Sequence, residues 1–502
     1  VSQWQRLSPR MLLVHPVHEL LRQLPLLVGA IVLGRATGNP LWSLLGVAII
    51  VALGVARWFT TTYRIDEDEV RLRTGVLQRS AVALPRNRIR SVQTEARLLH
   101  RLLGLMVLRV GTGQQAVGER VFELDAVPTE EVPRLRAILL AYAAPGRAGG
   151  RADTGTGTGT DTGTDTDSGA ARVTVLARWQ PAWLRYSPLS LSGLVMIGAA
   201  VGLLYQAGFG AAVQESAAVE SGLAAARSFG PVVAAIIGVT VVVLASVVLA
   251  VGRSLLTYGN LVLERRRSPG DTLHLRHGLL RITERTFDMS RLRGGSLREP
   301  LVVRWFGGAR LDAIMTGVHG AGESSLLLPP CPGPTARGVL TELVGDGDVV
   351  GGALRSHGRA AARRRFVRAL APPAALLVVL VAGQAVWHPP LWVWGLWAVL
   401  TAGSVALAAD RVRALGHRVD ADWLVARQGS AERRRDCVAT AGIVGWTVRQ
   451  SWFQRRAGVA TLVAATAAGT KRYEVLDIPA ELAWTVAARA SPWVADSMWA
   501  RM

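Results

Sequence analysis

The sequence predicts a membrane protein of about six transmembrane helices, paired into α-helical hairpins that alternate with three small α+β domains. Three observations predict it: long apolar stretches without a charge, two glycine spacings kept in three polar segments, and a helical run after a proline at the end of each segment. The composition sets the frame. Of 502 residues, 50% are apolar and 19% charged, yet Lys+Arg number 57 against 36 Asp+Glu, a formal net charge of +21. Soluble globular chains carry about 25% charged residues. A chain so poor in charge and so basic keeps its charges outside apolar spans. A disordered chain, a collagen and a disulfide scaffold are excluded. The two cysteines, Cys331 and Cys437, lie far apart, with no second cysteine at metal or redox spacing, and read as inert thiols in a reducing compartment.

The first hairpin is assigned to residues 17–59. Leu41–Trp58 is strongly apolar, and a shorter run, Leu24–Gly34, extends back to Val17. The second hairpin occupies residues 185–252, with Pro188–Phe209 and Gly230–Gly252 both free of charge. The third occupies residues 368–409, where Ala369–Ala409 is uncharged and is split by His388-Pro389-Pro390. Roughly 20 apolar residues cross the hydrocarbon core as a helix. Arg57, Arg64, Arg253, Arg363–Arg365, Arg368, Arg411, Arg413 and Arg418 all fall on one side of these spans. The positive-inside rule then places the termini and the large segments in the cytoplasm, on a multi-pass protein of the cell membrane. Trp58, Trp179, Trp183, Trp387, Trp392 and Trp394, near span ends, read as interface anchors. Gly198 and Gly202, with Gln206 and Gln384, favour packing of helix on helix.

The polar segments 60–145, 253–347 and 410–492 repeat one another. From Gly75, Gly278 and Gly429, an apolar residue follows at the same distance (Ile89, Leu292, Ile443), and a second glycine at another (Gly104, Gly307, Gly458). Each segment ends in an apolar run, a proline (Pro128, Pro330, Pro479) and a helical stretch. In the first, Thr129 is the expected N-cap, Glu130 and Glu131 suit the first turn, and Val132, Leu135 and Leu139 share one helix face. Before the helix, strands are expected: Val70, Leu72 and Thr74 alternate with Arg71 and Arg73, and Val107–Val110 and Val121–Leu124 follow. The second segment carries a basic stretch, Glu264–Asp271, that reads as an addition to the common pattern. Residues 146–170, largely Thr-Gly and Thr-Asp, are a linker by composition.

These residues resemble a known family. Tyr63-Arg64-Ile65, Arg71–Gly75, Pro85–Gln93 and Leu102–Leu105, with Ser451–Gly458 in the third segment, are similar to bacterial pleckstrin-homology-like membrane proteins of the YdbS/YdbT type, formerly a domain of unknown function. The resemblance implies a bent, seven-stranded antiparallel sheet closed by one C-terminal helix in each segment, and a loose association with envelope maintenance or stress protection. The first segment matches best and the second least.

No reactive constellation emerges: no catalytic, cofactor-binding or metal-ligating residue is assigned. His15 and His18 lack a third ligand, and His274 and His277 fall on opposite faces of a strand. Asp66–Glu69 beside Arg64 and Arg71 reads as a charged turn. The arginine clusters, including Arg79, Arg86, Arg88, Arg90, Arg97 and Arg101, suit either solubility and topology or anionic lipid headgroups, each basic group contributing about 1 kcal/mol near an anionic surface. Nucleic acid is not expected, because the basic segments are tethered by spans and lack a stacking motif. The expected function is a non-enzymatic, membrane-anchored binding or scaffold protein, without cofactor. Its expected partners are membrane lipids, with anionic headgroup contact through the basic patches, and an unidentified protein or peptide, for which a second copy and another family member are candidates. The alternative is a transporter or a transport accessory subunit.

Overall fold

The computed structural model describes residues 4–6, 8, 10, 61–66, 69–74, 80–86, 91–96, 98–111, 122–141, 173–189, 198, 231–267, 271–317, 325–384 and 388–496. The first hairpin, most of the first arm of the second, and the linker lie outside them, as do His15, His18, Gly75, Gly202 and Gln206.

One order of elements recurs three times. The first repeat runs β1 (Gln5–Arg6), β2 (Thr62–Ile65), β3 (Glu69–Thr74), β4 (Ser80–Pro85), β5 (Ser91–Ala96), α1 (Leu98–Leu102), β6 (Leu105–Gly111), β7 (Phe122–Pro128) and α2 (Val132–Ala141). The second runs β8 (Val173–Arg178), α3 (Pro231–Tyr258), β9 (Val262–Arg266), β10 (Thr272–His277), β11 (Ile282–Asp288), β12 (Leu292–Pro300), α4 (Leu301–Trp305), β13 (Gly308–Met315), β14 (Leu326–Pro332), α5 (Gly333–Val344) and α6 (Gly347–Gly351). The third runs α7 (Gly358–Gly383), α8 (Leu391–Ala414), β15 (Gly416–Val419), β16 (Trp423–Gln428), β17 (Glu432–Ala439), β18 (Ile443–Arg449), α9 (Trp452–Arg456), β19 (Val459–Thr466), β20 (Arg472–Pro479), α10 (Ala480–Ala490) and α11 (Pro492–Ala495).

Each repeat therefore begins on the far side of its apolar segment. Gln5 pairs with Tyr63, β8 lies beside β9, and Arg355 bridges His417, with Arg355 N donating to His417 O at 2.7 Å. These strands carry little alternation and were invisible to the sequence pattern. Among the described residues, three helices are long and apolar enough to cross a membrane: Val239–Tyr258 within α3, then α7, then α8. The other three of the six expected spans lie outside the described residues.

The chain forms two compact units. Unit 1 holds residues 1–175 and 260–291, and unit 2 holds 176–259 and 292–502. Unit 1 contains a four-stranded sheet, β1-β2-β3-β4, and a seven-stranded sheet, β7-β6-β5-β11-β10-β9-β8. Unit 2 contains a six-stranded sheet, β14-β13-β12-β17-β16-β15, and a three-stranded sheet, β18-β19-β20. The second repeat is thus divided between the units. Its first strands extend the sheet of the first repeat through β5·β11, and its last strands accept those of the third through β12·β17.

Alternation builds the cores. Tyr63, Val70, Leu72 and Leu84 from β2–β4 face Val92, Leu108, Val110 and Leu124, and Val132, Leu135 and Leu139 of α2 close that core. In the third repeat Leu424, Val438, Leu462 and Val475 pack with Ala483, Val486 and Ala487 of α10.

The second glycine of each repeat serves one turn. Gly104, Gly307 and Gly458 have φ of 66°, 72° and 66°, the left-handed region that costs glycine least. Each ends its short helix, and its carbonyl accepts from the start of the last helical segment: from Thr129 N at 3.0 Å, Gly333 N at 2.8 Å and Ala480 N at 3.0 Å.

Three sequence expectations are corrected. The proline of the second repeat that matches Pro128 and Pro479 is Pro332, opposite Gly308, rather than Pro330. Thr129 does not cap α2, which begins at Val132; Glu131 N donates to Pro128 O at 3.0 Å in an intervening turn. Glu264–Asp271 is no addition: Glu264, Arg265 and Arg266 lie on β9, paired with β10 as β2 is with β3, and only the loop beyond is longer.

Candidate functional site

The site is built where apolar helices meet the sheets. Leading into the second hairpin, Pro181–Tyr186 forms a short 3-10 helix in which Trp183 and Tyr186 are buried. Trp183 is therefore core, not an interface anchor. Tyr186 lies against β13 and α4: a Cβ on Gly308 would stand 2.5 Å from its ring, and its hydroxyl donates to Phe306 O at 3.3 Å. Glycine at position 308 is what admits the ring.

The root of the third hairpin meets the same helix. Asp410, near the end of α8, accepts from Arg304 of α4 at 2.8 Å and from Arg433 of β17 at 2.7 Å. Arg427 donates to Ala414 O and Arg413 O, both at 3.0 Å, and so caps the last carbonyls of α8. Leu301 N donates to Ala431 O at 2.7 Å, which fixes the start of α4.

Helix α4 is tied on one side to Tyr186 and on the other to Asp410, yet it presents large apolar groups outward. Trp305 is 71% and Phe306 61% exposed, and Val302 is exposed beside them. The equivalent helices do the same: Leu98 and Leu102 on α1, Trp452 and Phe453 on α9, where Arg456 stacks on Trp452 at 5.6 Å. Burying such groups is worth about 25 cal/mol per Å², so this is an incomplete surface.

A second constellation lies at the root of α7. Asp477 of β20 is 2% exposed and has φ of 53°. It pairs with Arg364 and, at 2.8 Å, with Arg365, and accepts from Gln454 Nε2 at 3.0 Å. Gln454 also completes the capping box of α9, donating its N–H to Ser451 Oγ while its Oε1 accepts from Ser451 N. Next to it, His357 Nδ1 lies 2.7 Å from Leu476 O and Nε2 lies 2.9 Å from His417 Nδ1. Burial lowers the pKa of both imidazoles; His417, also beside His357 and Arg355, falls to about 4. Burial disfavours the charged form of both rings, and the cluster joins the start of α7 to β15 and β20.

The arginines divide accordingly. Arg364, Arg365, Arg411 and Arg418 are spent on protein partners, whereas Arg363 and Arg368 of α7 are exposed and meet no partner among the described residues. Arg253 and Arg413, at the ends of α3 and α8, are exposed as well. At the ends of the acidic run, Asp66 N donates to Glu69 O at 2.9 Å, Arg64 Nε donates to Asp66 at 2.7 Å and Arg71 pairs with Glu69. His274 holds Thr286 at 3.1 Å on the neighbouring strand. Gln384 ends α7, its N–H donating to Leu380 O, so it marks the hairpin turn rather than a mid-span polar path. The pattern missed Trp397, whose Nε1 donates to Pro373 O at 2.9 Å and joins α8 to α7.

No curated protein and no solved structure matches the chain. Residues 19–143 and 372–490 match a family model, bacterial PH domain, and the second match begins inside α7, so that it takes in hairpin helix, strands and closing helix together. With their antiparallel sheets and closing helices, these two stretches are similar to the bacterial PH domain family.

Proposed function

We propose that the protein is a non-enzymatic scaffold of the cell membrane whose PH-like modules are held against the cytoplasmic leaflet, where they contact lipid and present binding surfaces to partners. The carrying observation is α4: two outward aromatics, Trp305 on the helix and Phe306 at its C-terminal cap, held between Tyr186 at the start of the second hairpin and Asp410 of the third. Aromatic side chains at helix roots partition into the headgroup region, where an apolar body and a wet surface coexist. Arg363 and Arg368, exposed at the root of α7, supply the cationic part of the same contact.

The test is a spin label at Trp305→Cys in protein reconstituted into bilayers, with Arg472→Cys as the exposed reference. Both native cysteines are buried and do not compete for the label. The label at position 305 is expected to be relaxed more by oxygen than by a water-soluble nickel chelate, with the reverse at position 472. Equal, water-like behaviour at both positions overturns the reading.

A further inference from the structure

The two junctions between repeats are one interface used twice. In β5·β11, Val92 pairs with Thr286 and Glu95 with Thr283; in β12·β17, Gly295 pairs with Cys437 and Arg298 with Arg434. Counted from Ile89 and Leu292 on one strand, and from Gly278 and Gly429 on the other, these are the same positions. The register is identical, and sequence content does not explain it, because the paired residues differ. The register is a property of the repeat.

Each junction joins a strand of the β4 kind (β4, β11, β17) to a strand of the β5 kind (β5, β12, β18). Two members are left over. β18 ends the three-stranded sheet and β4 ends the four-stranded sheet, and among the described residues neither pairs on its outer side. Their burial differs from that of their counterparts. Gly294–Leu297 of β12 are buried, whereas in β18 Val444 is 69% exposed and Thr447 and Arg449 are exposed; on β4, Ala81 and Ala83 are exposed.

The pairing stretches are also unprotected. Ser80–Pro85 and Ile443–Val448 carry no charge, whereas native edges left to solvent are usually blunted by charge, proline or a bulge; β18 ends in Arg449, and its register shift at Ile443/Gly445 is the one β12 has at Leu292/Gly295 while still pairing with β17. Pro85 falls at the strand end, beyond the last pair of either junction. One position of the junction differs among the repeats, with Ser91 in the first and glycine in the other two. A Cβ on Gly294 would stand 1.9 Å from Cys437 O across the β12·β17 junction. The third repeat keeps glycine at that position, Gly445, although only Ala465, at 3.9 Å, would meet its Cβ.

We propose that β18 of one molecule receives β4 of a second copy, antiparallel, with Ala81 opposite Val448, Val82 opposite Thr447, Ala83 opposite Trp446 and Leu84 opposite Gly445, joining copies head to tail. A second copy is the occupant because β4 is the one strand of its kind left unpaired among the described residues, and its small residues lie opposite Trp446 and Val448. The contact is heterologous and therefore propagates into chains or rings. It deepens the scaffold reading by naming a partner, and does not depend on how α4 meets lipid.

The test uses two full-length populations with different affinity tags, co-reconstituted in vesicles, one carrying Ala81→Cys and the other Val448→Cys. Each molecule then has one added thiol, so the two added thiols cannot meet within one chain. The native thiols, buried and pushed up to about 12, stay in place. Mild oxidation is expected to give a reducible dimer bearing both tags. Val444→Cys in place of Val448→Cys moves the thiol about 13 Å along the strand and is expected to cut the yield at least fivefold. Equal yields for the two positions, no mixed dimer, or a different protein trapped on Val448→Cys would each overturn the proposal. Failure here with the lipid-depth result intact removes the self-association and leaves the membrane scaffold; the reverse result removes only the lipid contact.

Discussion

At position 477 one residue serves three elements. Asp477 joins α7 through Arg364 and Arg365, β20 through its own backbone, and α9 through Gln454. Its φ of 53° is one that Asn and Asp tolerate better than other side chains, so the charge and the backbone can be tested separately. Asp477→Asn keeps the turn and removes the charge; Asp477→Ala removes both and leaves two arginines without their carboxylate. Losing one partner of a buried pair costs about 3–5 kcal/mol. Thermal unfolding in detergent is expected to show the Ala variant well below the Asn variant, and both below the wild type.

The imidazoles beside Asp477 make stability depend on acid. Their pKa values lie below the ordinary value of 6.5, His417 at about 4, because burial disfavours the charged form. The unfolded chain then binds more protons as pH falls, so the stability is present above about 6.5 and is lost toward 4. For His417 the loss approaches about 3 kcal/mol across that window. Arg355 and Arg365 oppose the added charge and Asp477 supports it on His357. His417→Asn is expected to flatten the melting temperature between pH 7 and 4.5; an unchanged slope would remove His417 as its source. None of this was legible in the sequence. His357 and His417 stand on opposite sides of a hairpin, and neither lies in a recognisable motif.

At the scale of elements, glycine spacing told more than apolar alternation. The second glycine of each repeat was legible because a left-handed turn leaves few substitutes, and the structure places all three at one turn. Gly294 was not legible, because its demand comes from another repeat. With φ of 131° and Cys437 O in the way, a side chain there must separate β12 from β17. Gly294→Ala is expected to speed amide exchange on both strands of that junction and to lower the apparent melting temperature. Gly445→Ala, in isolated molecules, is expected to do neither. Ser451→Ala removes the cap of α9 and should cost about 1 kcal/mol, read by chemical unfolding. The strands that precede each hairpin escaped the sequence reading for a physical reason. They are short, and their pairing partners lie beyond an apolar segment, so no local pattern announces them.

At the scale of the molecule, repeat and compact unit do not coincide. The seven-stranded sheet of unit 1 draws β5–β7 from before the linker and β8–β11 from after it. The strands meet from Val92↔Thr286 to Ala96↔Ile282, and side chains reinforce the seam: Arg281 pairs with Glu95, itself buried and 3.2 Å from Arg109, while Arg101 donates to Leu279 O at 3.1 Å. Continuity of the chain through residues 146–170 is therefore not what holds this sheet together. A protease site placed at Thr158 and cleaved after folding is expected to leave fragments 1–158 and 159–502 co-eluting in detergent, separable only by denaturant. Glu95→Ala, which leaves Arg109 and Arg281 facing each other across the seam, is expected to release a measurable fraction of the smaller fragment. Clean separation of the wild-type fragments after cleavage would mean that β5·β11 is too weak to join two repeats, and the same seam could then hardly join two copies through β4 and β18.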